Sequence, residues 1–149
     1  MSRAHFGLQY DPNHEQVFLY GGLTREAVLG DFWARVHGEW SELDFTGPGT
    51  RSHLGMAYDT NRNELLIFGG ATGDATFATV TNDTWLLTGG RWQELTPASA
   101  PSARGGAGLG YDGARERFVL YGGFDSTGAD LDDAWEFDGS DWTCLAGCP

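Results

Sequence analysis

Basic side chains are scarce in this sequence. Its 149 residues include nine Lys and Arg against 21 Asp and Glu, so the formal net charge is −12. Proteins that bind nucleic acid draw most of their affinity from clustered Lys and Arg, so the charge argues against a nucleic-acid partner. It does not distinguish among other partners, because an acidic surface is compatible with many protein and small-molecule ligands.

Long apolar runs are also lacking. No stretch approaches the ~18 consecutive apolar residues that a membrane-spanning helix needs. The first five residues, Met1 to His5, lack the apolar core of a signal peptide. We therefore expect a soluble chain with no membrane partner, and a cytoplasmic location if this N-terminus is the native one.

Cysteine is rare and confined to the C-terminus. The two cysteines, Cys144 and Cys148, lie within the last six residues, so they cannot staple the fold as a disulfide framework would. We expect two free surface thiols, with a local disulfide or a contact between chains as the alternatives. A structural zinc site needs four ligands, and no second pair occurs at a suitable spacing.

Glycine and aromatic residues are abundant instead. The chain has 23 Gly, together with 6 Trp, 5 Tyr and 9 Phe, and only 20% of its residues are charged. This composition favours short strands joined by glycine-rich turns over helical bundles or disorder. The first expectation is an all-β domain.

One pattern occurs three times in the same order. Each copy runs from an Arg through a Tyr-Asp pair, an apolar stretch ending in Gly-Gly and an Asp-x-Trp to a Trp-x-x-Leu. The Gly-Gly pairs begin 48 and then 53 residues apart, at Gly21, Gly69 and Gly122. The final tryptophans lie 52 and then 50 residues apart, at Trp40, Trp92 and Trp142. Landmarks that stay in step over this length indicate a structural repeat.

Each copy predicts four short strands. They are the glycine-rich stretch ending in Tyr-Asp, the apolar run before Gly-Gly, the segment with Asp-x-Trp and the segment with Trp-x-x-Leu. The segments after Tyr-Asp are rich in turn-forming residues and predict a hairpin between the first two strands. Glycine at the Gly-Gly pairs predicts positive φ and close approach of neighbouring groups.

These residues resemble the kelch family, whose repeat of about 50 residues combines an initial Arg, a Gly-Gly after an apolar strand and paired aromatic positions. The resemblance implies a β-propeller with three four-stranded blades, at residues 3–46, 51–96 and 104–145, making residues 1–149 a single propeller half. The tryptophans then pack between blades. Closed propellers have roughly four to eight blades, so a homodimer completing a six-bladed ring is expected.

The resemblance also implies where a ligand binds. In kelch rings the loops after Gly-Gly and the entries to the first strands cluster at one mouth of the central channel. The loops from Leu23 to Gly30, Ala71 to Asn82 and Phe124 to Asp132 are the most variable parts of the chain, and variable loops on a repeated scaffold commonly carry function. The candidate ligand-binding residues are His5, His53, Leu23, Arg25, Ala71, Phe124 and Asp125.

Two sets of residues are candidates for a metal site. His5 and His53 stand at equivalent positions two residues after the initial Arg, so four imidazoles of a dimer can approach the channel, although histidine at this position is better explained structurally. The third repeat alone has the acidic run of Asp125, Asp130, Asp132 and Asp133. We interpret it as a solvated loop and not as a Ca²⁺ site, because it matches no EF-hand spacing.

The aspartates that recur two residues before the tryptophan of the third predicted strand are interpreted as turn caps, because they recur in every copy. They are Asp31, Asp83 and Asp133. No catalytic motif appears, so we assign no catalytic residue, metal or cofactor. The expected function is a binding scaffold that self-assembles into a ring and takes a protein or small-molecule ligand. The alternative is a metal-dependent kelch-type enzyme, an oxidase, lyase or sugar epimerase, with its site in the assembled channel.

Overall fold

The computed structural model describes residues 2–73 and 79–148. Part of the predicted loop from Ala71 to Asn82 therefore lies outside the described residues. The described chain is all-β and consists of three four-stranded antiparallel sheets, which we number 1 to 3 in chain order. It contains no helix of the length and hydropathy that a membrane span requires.

Every sheet uses four consecutive strands in sequential order. Sheet 1 comprises β1 (Gly7–Asp11), β2 (Gln16–Leu23), β3 (Val28–Val36) and β4 (Glu39–Leu43). Sheet 2 comprises β5 (Gly55–Asp59), β6 (Glu64–Thr72), β7 (Thr79–Thr88) and β8 (Arg91–Leu95). Sheet 3 comprises β9 (Gly108–Asp112), β10 (Arg117–Tyr121), β11 (Ala134–Phe137) and β12 (Trp142–Ala146). The four strands predicted in each copy of the repeat are thus confirmed.

The hairpin between the first two strands of each sheet is closed by the aspartate of the Tyr-Asp pair. In sheet 2, the Asp59 carboxylate accepts hydrogen bonds from the backbone N–H groups of Asn61 and Arg62 at 2.7 and 2.9 Å. Asp11 and Asp112 hold the corresponding turns in the same way. Such side-chain bonds to nearby backbone N–H groups stabilise turns, which is why the predicted hairpins form.

The Gly-Gly pairs adopt the positive φ that the sequence predicts. Gly69 and Gly70 have φ of 59° and 109°. The register of β6 against β7 shifts between Phe68 and Gly70, as it does in sheet 1. A Cβ atom on Gly69 would lie 2.7 Å from the Arg104 carbonyl oxygen, so the close approach of the next sheet requires glycine there.

Two apolar clusters lie between the sheets. The first joins sheets 1 and 2, and the second joins sheets 2 and 3. Successive strand residues point to opposite faces, so the apolar runs of sheet 2 contribute to both clusters. Leu65 and Ile67 belong to the first cluster, whereas Leu66 and Phe68 belong to the second. Sheet 2 is therefore covered on both faces, and sheets 1 and 3 are covered on one.

The last tryptophan of a repeat packs against the preceding sheet. Trp92 lies 5.6 Å, between ring centroids, from both Tyr20 and Phe32 of sheet 1. Trp142 contacts Phe68 of sheet 2 in the same way. The predicted packing of these two tryptophans between sheets is confirmed. Trp40 is 44% exposed, because no described sheet packs on that face of sheet 1.

Candidate functional site

Three equivalent backbone positions at the entries to β1, β5 and β9 form one continuous row across the sheets. The His53 N–H donates a hydrogen bond to the His5 carbonyl at 2.8 Å, and the Gly106 N–H donates to the His53 carbonyl at 2.7 Å. All three residues have positive φ, near 54°, 53° and 69°. The repeat thus places its third residue at a fixed point in each sheet, and these points are adjacent.

Aromatic rings follow the same row. The imidazoles of His5 and His53 stack with centroids 3.8 Å apart and planes 17° apart. The Phe124 ring meets His53 edge-on at 5.6 Å. A Cβ atom on Gly106 would lie 2.9 Å from this phenyl ring, so Phe124 occupies the space of the third side chain in the row. We call His5, His53 and Phe124 the ring row.

The residues after each Gly-Gly lie beside the ring row because short backbone bridges hold them there. Leu23 pairs with Ala4 and Ala71 pairs with Ser52 through two hydrogen bonds each, of 2.7 to 2.9 Å. Phe124 pairs likewise with Gly105. The structure therefore brings five of the seven predicted site residues to neighbouring positions. Ala71 is buried there, so its methyl group offers no accessible surface.

The other two predicted site residues belong to separate turns. Arg25 is exposed in the turn between β2 and β3. The Asp125 carboxylate accepts hydrogen bonds from the Thr127 backbone N–H at 2.8 Å, the Thr127 hydroxyl at 2.6 Å and the Ala129 N–H at 3.0 Å. These bonds, led by that of the Thr127 hydroxyl, lower the pKa of Asp125. The Asp125 carboxylate is thus bound within its own loop, directly after Phe124 in the chain.

The imidazole of His53 is kept neutral. Burial, and then the proximity of His5, lowers the pKa of His53 to about 4. A neutral imidazole binds a metal ion through the in-plane lone pair of its unprotonated nitrogen, so two stacked, nearly parallel rings do not converge on one metal ion. Within residues 2–73 and 79–148, no three His, Cys, Asp or Glu side chains are grouped as metal ligands. The ring row instead offers flat aromatic surface.

The interpretation of the recurring aspartates as turn caps is wrong. In sheet 3 the Asp133 carboxylate binds the Arg104 guanidinium through both oxygens, and it accepts the Trp135 indole N–H at 2.7 Å. Arg104 also donates to the Gly122 carbonyl at 3.1 Å. The equivalent groups in the other sheets are Arg3, Asp31 and Trp33, and Arg51, Asp83 and Trp85. We call each set an Arg-Asp-Trp triad.

The triads hold their carboxylates ionised. The Arg104 hydrogen bonds are the main cause that lowers the pKa of Asp133. Burial alone would raise the pKa of Asp83, but the hydrogen bonds and charge of Arg51 lower it below its usual value. A visible signal for this pairing was present in the sequence, since an Arg and an Asp recur together in each copy, 28, 32 and 29 residues apart.

The expectation of free thiols at the C-terminus is also wrong. Cys144 and Cys148 form a disulfide with a Cα–Cα distance of 6.2 Å. Cys144 lies on β12. The chain turns immediately after that strand, which brings the Cys148 sulfur within bonding range of the Cys144 sulfur. The local alternative that spacing left open is the one the structure adopts.

A surface pocket that the motifs did not indicate lies on sheet 1. It has a volume of about 430 Å³ and is lined by Arg3, Phe6, Leu19, Trp33 and Trp40. These residues lie on the face of sheet 1 turned away from sheet 2. Their equivalents in sheet 2 include Leu54, Ile67 and Trp92, which are buried against sheet 1.

Comparison with known proteins assigns no family to this chain, so its class is described by its fold alone. The sequence matches no protein-family model and no curated protein. The chain is an all-β protein of three repeated four-stranded antiparallel sheets.

Proposed function

We propose that this chain is half of a kelch-type β-propeller, with each four-stranded sheet as one blade, and that the closed ring is a binding scaffold. The observation that carries the proposal is the ring row. The backbone beneath it, at His5, His53 and Gly106, joins equivalent positions of all three sheets at one end of their first strands, and the segments after Gly-Gly lie beside it. This is the arrangement that a propeller needs to present its loops around a channel mouth.

The ring is proposed to contain six blades from two copies of the chain. Sheets 1 and 3 each retain an apolar face that neither of the two internal clusters covers, as the exposure of Trp40 and Tyr121 shows. Two copies related by a twofold axis would cover both faces in two equivalent contacts. The channel mouth would then carry two ring rows.

Binding is favoured over catalysis because the polar groups near the mouth are already engaged. His53 is stacked and neutral, and Asp125 accepts hydrogen bonds from its own loop. The three triad carboxylates are neutralised by arginine. Among the described residues near the proposed mouth, the exposed Arg25 and the exposed His5 imidazole suit a protein or small-molecule ligand with a flat or anionic group.

A peptide library displayed on phage, panned against the immobilised protein, tests this proposal. We expect recovered peptide families to lose at least about tenfold in affinity on Arg25→Ala or His5→Ala, as interface anchors do. Arg91→Ala is the matched control, since Arg91 is an exposed arginine at the start of β8 and away from the ring row. Failure to enrich any family, or equal losses with Arg91→Ala, would contradict a binding site at the mouth. Elemental analysis of protein purified without added metal tests the enzyme alternative.

A further inference from the structure

Two unpaired sheet faces remain at the ends of the chain's stack. The leading face is that of sheet 1 turned away from sheet 2, and it carries Phe6, Leu8, Tyr10, Leu19 and Trp40. The trailing face is that of sheet 3 turned away from sheet 2, and it carries Gly108, Val119, Tyr121, Ala134 and Leu145. Leu8 and Tyr121 are 49% and 61% exposed, although their counterparts in sheet 2 are buried. The interface between sheets 1 and 2 and the interface between sheets 2 and 3 indicate which side chains would pack on each unpaired face.

The first feature that both internal interfaces share is a seat for tryptophan. Trp92 packs on Tyr20 and Phe32, and Trp142 packs on Phe68 while its indole N–H donates to the Thr84 hydroxyl at 3.0 Å. In each case the seat is the residue before Gly-Gly together with the residue after the triad aspartate. On the trailing face these two positions are Tyr121 and Ala134. The tryptophan that would fill this seat is Trp40 of the leading face.

The second shared feature is a glycine that receives an aliphatic side chain. Gly7, the first residue of β1, faces Met56, and Gly55 of β5 faces Leu109, whose Cβ would lie 3.2 Å from an added Cβ. The equivalent glycine of β9 is Gly108. The nearest atom to a Cβ added there is the Tyr121 carbonyl oxygen at 3.9 Å, so the space in front of Gly108 is open.

The residue that matches Met56 and Leu109 in the repeat is Leu8. It lies on the leading face and is half exposed. The open space at Gly108 and the uncovered Leu8 are therefore a complementary pair that one copy holds at opposite ends of its stack.

The third shared feature is a set of three backbone hydrogen bonds. At the interface of sheets 1 and 2 they are Gly22 N–H to Arg51 O, Arg51 N–H to Leu29 O and His53 N–H to His5 O, at 2.8 to 2.9 Å. At the interface of sheets 2 and 3 they are Gly70 N–H to Arg104 O, Arg104 N–H to Thr81 O and Gly106 N–H to His53 O, at 2.7 to 3.0 Å. The same positions at the two ends supply the donors Gly123, Arg3 and His5 and the acceptors Arg3, Leu131 and Gly106.

Charge complementarity extends the match to the turns. Across sheets 2 and 3, Arg62 forms an ion pair with Glu116 at 2.7 Å. The residues at the same repeat positions are Arg115 at the trailing end and Glu15 at the leading end. In this register Arg115, which also pairs with Asp112 and Glu136 of its own sheet, would face the opposite charge of Glu15, even though the net charge of each copy is −12.

We propose that the leading face of one copy pairs with the trailing face of a second copy in the register of the internal interfaces, with Trp40 seated on Tyr121 and Leu8 seated over Gly108. The occupant is a second copy because the chain's own leading face supplies each group that its trailing face lacks. The inference rests on the six-bladed ring proposed above and assigns its contact. Two such contacts, related by a twofold axis, close the ring.

The test exploits the fact that Leu8 and Gly108 meet only between copies. Gly108 has an extended strand backbone and open space, so Gly108→Leu should fold as well as the natural chain. Sedimentation velocity at micromolar concentration should give about twice the 16.2 kDa chain mass for the natural chain and the chain mass for Gly108→Leu. Combining Gly108→Leu with Leu8→Ala should restore the larger species. Arg91→Leu, which adds the same side chain to sheet 2, should remain paired.

The outcomes separate this inference from the wider proposal. A natural chain of doubled mass that Gly108→Leu leaves intact would overturn the proposed register, while a ring closed through another contact would survive. A natural chain that stays monomeric up to about 100 µM would overturn both the pairing and the ring of two copies, and the faces would then belong to a different partner. Circular dichroism of each variant shows whether it has folded, and Trp40→Ala provides a second substitution on the opposite face that should also yield the single-chain mass.

Discussion

Trp40 and Trp92 occupy the same position of the repeat but differ in burial, so replacing each by alanine isolates what the preceding sheet contributes. Trp92 is 9% exposed and Trp40 is 44% exposed. The difference is about a third of a tryptophan surface, on the order of 85 Å², which is worth about 2 kcal/mol at about 25 cal/mol per Å². Trp92→Ala also leaves a cavity among packed aromatic rings, so we expect a total loss of about 3–5 kcal/mol of unfolding free energy.

Urea unfolding followed by circular dichroism at sub-micromolar concentration measures both losses in unpaired chains. Trp40→Ala should then cost at least about 2 kcal/mol less than Trp92→Ala. At higher concentration the cost of Trp40→Ala should grow, because the proposed pairing would bury Trp40 and mass action would add the pairing energy to stability. Equal losses at low concentration would refute the reasoning, since they would show that Trp40 is packed without a second copy.

Two further predictions concern titratable groups. Asp133→Ala leaves the fully buried Arg104 without its carboxylate and should cost about 3–5 kcal/mol, against about 0.5 kcal/mol for the exposed Asp44→Ala. The fold lowers the pKa of Asp133, so the stability that this carboxylate contributes is complete above its unfolded-state pKa and is lost as the pH falls through its folded-state pKa. The unfolding free energy of Asp133→Ala, measured with urea, should therefore decrease less on acidification than that of the natural chain. For His53, whose pKa is lowered to about 4, stability should fall as the pH drops from about 6.5 towards 4, and His53→Phe, which keeps a ring, should flatten this slope. An NMR titration midpoint of His53 near 6.5 would contradict its burial beside His5.

The sheets were predictable from the sequence because the repeat encodes each strand and its boundaries locally. Gly-Gly fixes where the second strand bends, and the aspartate after Tyr fixes the hairpin turn. The faces of each strand follow from side-chain alternation, so the packing of Trp92 and Trp142 between sheets was also accessible. What these patterns share is that a single repeat determines them.

Features that depend on residues distant in the chain were not predictable from pattern alone. Arg104 and Asp133 meet only when the first strand entry and β11 are assembled, so the aspartate was misread as a turn cap. Gly106 is the repeat equivalent of His5 and His53, but the ring beside it belongs to Phe124, which comes from a different position of the repeat. Aligning the repeats therefore does not show that Phe124 completes the row. The two cysteines were compatible with free thiols or a disulfide, and only the turn after β12 decides between them.

Two of the three triad arginines, Arg51 and Arg104, connect two sheets. The backbone of Arg51 is hydrogen-bonded to Gly22 and Leu29 of sheet 1, while its guanidinium is bound inside sheet 2 by Asp83. Separating sheets 1 and 2 would expose the Arg51–Asp83 ion pair and break the three backbone hydrogen bonds between these sheets at the same time. Partial separation of the two sheets should therefore cost nearly as much free energy as complete separation. Arg104 couples sheets 2 and 3 in the same way. The stack should therefore unfold cooperatively, as strongly coupled neighbours in a repeat array do, and not peel away one sheet at a time.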